Sequence, residues 1–186
     1  MNYASIRTCD VANGEGVRVS LFVSGCTHHC PGCFNEEAQA FDYGQPFTTA
    51  VEDQVLDALE PSYIAGLTLL GGEPMEPGNQ RALMPLLRRF RSRFGESRTL
   101  WVYTGCVIED LRNPESRWHT EVTDELLALT DVLVDGPFIE AQKDISLRFR
   151  GSANQRILHL NGHRKRPGAS PAEKSAIEAA QQEKGE

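Results

Sequence analysis

The chain of 186 residues is 40% hydrophobic, enough for one sizeable core and one folded unit. Its 26 acidic and 19 basic side chains leave a formal charge of -7, without the basic footprint that direct nucleic-acid binding needs. Residues 1–10 lack the apolar core of a secretion signal, and no stretch of about 18 apolar residues occurs, so the expectation is a cytoplasmic protein with no membrane segment.

A polar turn at Asn13-Gly-Glu-Gly16 precedes Val17-Arg-Val-Ser-Leu-Phe-Val23, which alternates and then turns wholly apolar, as a strand entering a core does. Its end delivers the stretch Gly25-Cys-Thr-His-His-Cys-Pro-Gly-Cys-Phe34. Thr49-x-x-Glu52 has capping-box spacing ahead of Val51, Val55, Leu56 and Leu59, which predicts an amphipathic helix stopped by Pro61. Gly66–Leu70 reads as a short buried strand ending in Gly71-Gly72-Glu73-Pro74. Leu83, Met84, Leu87, Phe90 and Phe94 mark a second helix, with Pro85 near its start or at a kink. Thr99–Tyr103 is a third strand, closed by Thr104-Gly105. Thr123 caps a helix carrying Leu126, Leu127 and Leu129, and Asp131–Val134 is a fourth strand closed by Asp135-Gly136.

Strands and helices alternating at this spacing form βαβ units around a mostly parallel sheet, whose ligand edge lies at the strands' C-terminal ends. A closed eight-unit barrel takes about 250 residues. The fold class expected is therefore α/β, a partial, open barrel. Residues 1–160 form the domain in this reading. Residues 161–186, Ala/Glu/Gln/Lys-rich toward the end with one large apolar residue, Ile177, form a tail predicted to be disordered or marginally helical.

Three of the five cysteines, Cys26, Cys30 and Cys33, share one loop, which points to a metal or redox site in a reducing compartment rather than to disulfides. Thiolates select iron-sulfur clusters, zinc or copper(I). A structural zinc site needs a fourth ligand, which His28 or His29 is awkwardly placed to supply while the loop also turns three cysteines inward. A cubane cluster with three ligands keeps one iron open to an exogenous group. Spacing alone leaves zinc and cluster both open. Gly25, Pro31 and Gly32 permit tight backbone conformations, and Phe34 offers a flat apolar wall.

The C-x3-C-x2-C spacing with an aromatic after the last cysteine, followed by a strand ending in Gly-Gly-Glu-Pro, resembles the radical S-adenosylmethionine enzymes. The resemblance implies a 4Fe-4S cluster on Cys26, Cys30 and Cys33, with S-adenosylmethionine on its fourth iron. It also implies that Gly72 and Glu73 meet the methionine amino group through the backbone, and that Gly32, Cys33 and Phe34 meet the adenine end. Within that superfamily the chain resembles the activating proteins of anaerobic ribonucleoside-triphosphate reductases. The shared motifs are Val11-x-Asn-Gly-x-Gly, Leu21-Phe-Val-Ser-Gly-Cys, Cys30-Pro-Gly-Cys, Gly44-Gln-Pro-Phe-Thr, Trp101-Val-Tyr-Thr-Gly, Val132-Leu-Val-Asp-Gly-x-Phe and Arg150-Gly-Ser-x-Asn-Gln. This implies an enzyme that takes one electron from reduced flavodoxin or a similar donor and cleaves S-adenosylmethionine to methionine and a 5'-deoxyadenosyl radical. The radical then removes hydrogen from a glycine of the reductase. Other targets, namely another glycyl-radical enzyme or a small molecule, and a zinc-binding interaction module are the competing readings.

The remaining residues carry less. Cys9 and Cys106 read as small buried or incidental side chains, and His28 and His29 as loop surface, useful if at all for tuning the cluster's environment. Asp135 and Thr104 read either as turn residues or as residues facing a cofactor or a cation. Trp101 and Tyr103 read as strand residues with one face in the core.

Overall fold

The computed structural model describes residues 1–161. In chain order its elements are β1 (Asn2–Asp10), β2 (Val17–Val23), β3 (Gln45–Pro46), α1 (Thr49–Ala58), β4 (Ile64–Gly71), α2 (Pro77–Phe94), β5 (Thr99–Tyr103), α3 (Ile108–Arg112), α4 (Thr123–Leu129), β6 (Val132–Asp135) and β7 (Arg156–His159). Short 3-10 turns lie at Glu36–Gln39 and Glu140–Gln142. The strands form one open seven-stranded sheet in the order β3-β1-β2-β4-β5-β6-β7. Its centre, β2-β4-β5-β6, is parallel. Both margins are antiparallel, through β1 and β3 on one side and β7 on the other.

Period-two alternation sorts the central strands into two faces. Val19, Leu21, Val23, Leu67, Leu69, Leu100, Val102 and Leu133 belong to the main core, where they join the helical residues Val55, Leu56, Leu83, Leu87, Phe90 and Leu126. The Leu83, Leu87, Phe90 spacing gives α2 its stripe, and full burial of each such side chain contributes about 1.5–3 kcal/mol. The alternate residues form a second cluster on the opposite face, with Trp101, Val132 and Val134 packed against Tyr103, Phe149 and Ile157. Phe149 meets the Trp101 ring edge-on, with centroids 5.3 Å apart. Apolar cover on both faces explains why the parallel strands read as nearly continuous apolar runs.

The α/β class and the parallel centre agree with the expectation from sequence. Several details differ. The capping box at Thr49 does not form: Thr48 is the N-cap without a side-chain bond, and Glu52 instead pairs with Arg89 at 2.9 Å. Thr123 does not cap α4 either; its hydroxyl donates to Gln80 Oε1 and accepts the Thr120 N–H, while Val122 occupies the cap. Pro85 lies inside α2, where it leaves the Arg81 carbonyl without its helical donor. Of the expected tail only Asn161 is described, and its amide donates to the carbonyls of Ala128 and Thr130. Residues 162–186 lie outside the described chain. No described helix is long and apolar enough to cross a membrane.

Candidate functional site

β2 and β4 end side by side, with Val23 opposite Gly71, so the segments that follow leave the sheet from one edge. Their pairing continues past the strands: Gly72 N–H donates to Val23 O at 2.7 Å and Glu73 N–H to Gly25 O at 2.8 Å. Gly72 permits this approach, because a Cβ there would lie 2.6 Å from Gly25 O and 2.7 Å from Ala38 O. Both are backbone atoms with little freedom to yield. Gly72→Ala is therefore expected to destabilise the metal-free protein by about 1–3 kcal/mol in urea denaturation and to reduce iron uptake, since it pushes the cysteine loop off the strand ends.

The cysteine loop starts at Gly25, whose φ of 94° suits glycine, and reverses direction at His29 (φ 49°) and Gly32 (φ 69°). Its stem is pinned by Gly25 N–H on Ala38 O at 2.8 Å and Cys26 N–H on Gln39 O at 3.0 Å. Two glutamates of the turn between β4 and α2 grip consecutive loop residues. Glu76 Oε1 accepts both the N–H and the hydroxyl of Thr27, at 2.8 and 2.6 Å. Glu73 Oε2 accepts His28 Nε2–H at 2.9 Å.

A cavity of about 390 Å³ opens at this edge. Cys26, Cys30, Gly32, Cys33 and Phe34 line it from the loop, and Gly72 and Glu73 from the turn, so every residue singled out for cluster or cofactor reaches the same space. Phe34 sits at its rim, 82% exposed. The Glu73 carboxylate accepts Met75 N–H, Gly105 N–H and His28, and the Glu73 carbonyl accepts Glu76 N–H and Asn79 Nδ2–H, so in this turn it is Gly72 that brings bare main chain to the cavity. Tyr103, Thr104 and Gly105 of the β5 end and the segment 143–151 complete the wall.

Burial of Cys26 pushes its thiol up to about 11 against N–H donation from His28 and His29, so the metal-free side chain is neutral and coordination releases its proton. Cys26, Cys30 and Cys33 line one open cavity, and three thiolates there suit a multi-iron cluster, to which thiolates are the usual ligands. A second group of potential metal ligands, His28, Glu73 and Cys106, has its ligand atoms within 4.8 Å of one another.

Other residues resolve differently from their sequence reading. His28 is not loop surface: its side chain is 15% exposed and its ring stacks on Trp118 at 4.7 Å. His29 is exposed as expected and contacts Gln39 Oε1. Asp135 is fully buried, accepting Ile108 N–H and pairing with Arg156. Thr104 Oγ1 accepts Cys106 N–H. In the 150–155 motif, Gln155 Oε1 accepts Gly151 N–H and Ser152 N–H while Arg150 donates to Gln155 O, closing a loop that lines the cavity. Trp118, Arg117 and Glu76 carry no local sequence signal, because their loop partners lie 49 to 90 residues away.

The fold is that of an α/β protein with three cysteines gathered at one open cavity, and the model of the family described as "4Fe-4S single cluster domain" matches residues 12–158, which places the chain among iron-sulfur proteins. Three relatives carry the name anaerobic ribonucleoside-triphosphate reductase-activating protein. The one from Escherichia coli K12 is 40% identical over 86% of this chain and 99% of its own length. That of Haemophilus influenzae is 42% identical over 86% and 97%, and that of Enterobacteria phage T4 is 38% identical over 84% and 93%. The chain belongs to the family of anaerobic ribonucleoside-triphosphate reductase-activating proteins.

Proposed function

We propose that this protein activates an anaerobic ribonucleoside-triphosphate reductase by placing a radical on one of its glycines. The observation that carries the reading is the convergence of the three-cysteine loop and the Gly71-Gly72-Glu73 turn on one open cavity. Cys26, Cys30 and Cys33 would hold a 4Fe-4S cluster, whose remaining iron would be left for S-adenosylmethionine. Bound together, cluster and cofactor supply a one-electron cleavage that yields methionine and a 5'-deoxyadenosyl radical, which takes a hydrogen atom from the glycine.

The chain's own residues bind and orient. The main chain of the Gly72-Glu73 turn, at the Gly72 carbonyl where no side chain intervenes, would accept the methionine ammonium, with Glu73 holding the turn in place. Gly32, Cys33 and Phe34 receive the adenine end, with the Phe34 ring as an apolar surface. The open sheet is, in this reading, the partial barrel of the radical S-adenosylmethionine type, whose mouth admits a protein loop. Reduced flavodoxin or a similar cytoplasmic donor provides the electron.

Anaerobic reconstitution tests the proposal. The expected product is a brown protein with about four irons per chain that, once reduced, converts S-adenosylmethionine to methionine and 5'-deoxyadenosine and gives the reductase a glycyl radical signal in electron paramagnetic resonance. Cleavage without that signal sinks the reductase as target. An intact cluster without cleavage sinks the radical chemistry, and a colourless protein with one zinc sinks both.

A further inference from the structure

We infer that His28 is a positioning residue: it locks the cysteine loop to the Gly-Gly-Glu turn and thereby sets where the cluster stands relative to the cofactor. The inference rests on the proposed function and adds to it a residue outside the cluster and cofactor contacts.

The ring of His28 is held from three directions. Its Nε2 donates to Glu73 Oε2 at 2.9 Å, inside a carboxylate that is 1% exposed. One ring face lies on the Trp118 indole, 4.7 Å between centroids and 18° from parallel. The ring also packs against Gly105, where a Cβ would fall 2.7 Å from Cδ2 and 2.8 Å from Nε2. Glu73 joins this contact to two further loops, since the same Oε2 accepts Gly105 N–H at 2.7 Å and Oε1 accepts Met75 N–H at 2.8 Å. One carboxylate thus ties together the segments that leave β2, β4 and β5.

Position gives the contact its consequence. His28 stands between Cys26 and Cys30, while Glu73 belongs to the turn whose main chain receives the cofactor. A hydrogen bond to a buried carboxylate is short and directional, so it fixes the separation of the two half-sites more tightly than apolar packing alone. His28 also lines the cavity, but its Nε2 is turned onto Glu73 Oε2, and it is through that residue that it acts. Cys106 Sγ, 3.6 Å from the same nitrogen, fills the remaining side.

Two substitutions disturb this clamp by different means. His28→Ala removes the donor. Gly105→Ala keeps every hydrogen-bonding group and adds one methyl where the ring sits, caught against Trp118. His28→Gln restores an N–H donor on a side chain of similar reach. The wild type and the three variants are reconstituted anaerobically, their iron is counted, S-adenosylmethionine binding is measured by equilibrium dialysis, and the reduced cluster's paramagnetic spectrum is recorded with and without cofactor.

The expected result is full iron and an unchanged cofactor-free spectrum throughout. His28→Ala and Gly105→Ala should bind cofactor about 10- to 100-fold more weakly, the worth of one hydrogen bond to a charged group, and should show a blunted spectral response. His28→Gln should recover part of both. Variants that keep their iron and bind cofactor like the wild type overturn the positioning role alone. So does a loss of binding that only follows a loss of iron, or a stoichiometric zinc that disappears with His28. A wild-type cluster whose spectrum ignores S-adenosylmethionine overturns the functional reading, and the positioning role with it.

Discussion

A Cys30→Ser variant is expected to fold but to retain little iron, and to give no detectable glycyl radical on the reductase. In the proposed cluster three thiolates would leave one iron open, so removing another ligand would leave two irons without a protein anchor. A serine oxygen is a hard, reluctantly deprotonated donor and does not replace a soft thiolate. The neighbouring histidines cannot step in: His28 Nε2 is committed to Glu73, and His29 points to Gln39 on the exposed side of the loop. Stability of the metal-free chain should stay within about 0.5 kcal/mol, because Cys30 lies partly exposed on the loop and outside both apolar clusters. Iron and sulfide analysis after reconstitution, beside urea denaturation of the metal-free protein, separates loss of the ligand from loss of the fold. Cys9→Ala is the control: Cys9 is an exposed thiol on β1, and this variant should hold as much iron as the wild type. A Cys30→Ser protein with its full complement of iron would remove the basis for the cluster assignment.

The parts of this molecule legible from sequence are those where local pattern and tertiary role coincide. Thr99–Tyr103 was read to the residue, because a run of large apolar side chains between turn signals has few other fates. The cysteine loop and the Gly-Gly-Glu turn announce themselves through side chains whose chemistry is rare at that spacing. β1 escapes the same reading because it is a nearly marginal strand with mostly exposed or half-exposed residues and no apolar alternation, and what makes it a strand is β2 beside it. β7 is four residues long and depends likewise on β6. The helix caps misled for a related reason. Glu52 and Thr123 have the local option of capping, yet Arg89 and Gln80, 37 and 43 residues away, offer stronger partners. His28 belongs to the same class: a histidine in a polar loop reads as surface until Glu73 and Trp118 are folded against it.

Arg18 is the residue whose loss should cost most stability. It is fully buried on the second face of β2, where alternation alone suggests nothing more than a polar strand position. Its Nε donates to Thr68 Oγ1 at 2.6 Å, Nη1 to Thr99 Oγ1 and Glu15 O, and Nη2 to Leu67 O at 2.7 Å and Thr99 O at 2.9 Å. The guanidinium lies 5.4 Å from the Trp101 ring centre. Burial holds its pKa down to about 10, countered by the nearby Tyr103 phenol and the carboxylates of Asp131, Glu15 and Asp10, so the group is still charged at neutral pH. Two effects oppose each other on substitution. Arg18→Met spares the desolvation of a cation, which by itself favours the variant. It also strips donors from three backbone carbonyls and from two threonine hydroxyls that keep only the bonds they donate to Asn13 O and Ala65 O, and an acceptor left unsatisfied in the sheet interior costs about 1–3 kcal/mol. Several acceptors against one desolvated group, whose charge is spread over five satisfied N–H bonds, decide the sign. The variant should be less stable by on the order of 3–5 kcal/mol, a large share of a typical domain's stability. Arg18→Lys should fall between, since an ammonium has three donors and no planar fork. Urea denaturation of the metal-free proteins at pH 7 measures this, and a methionine variant as stable as the wild type would show that the cation's burial cost cancels its bonds. The effect should reach the site as well. Arg18 ties β2 to β4 and β5, the strands that deliver the cysteine loop, the glycine turn and Gly105. It also holds Glu15, beside the Ala12 and Asn13 that line the cavity. Loosening this anchor should therefore weaken cofactor binding even at urea concentrations where the sheet remains folded.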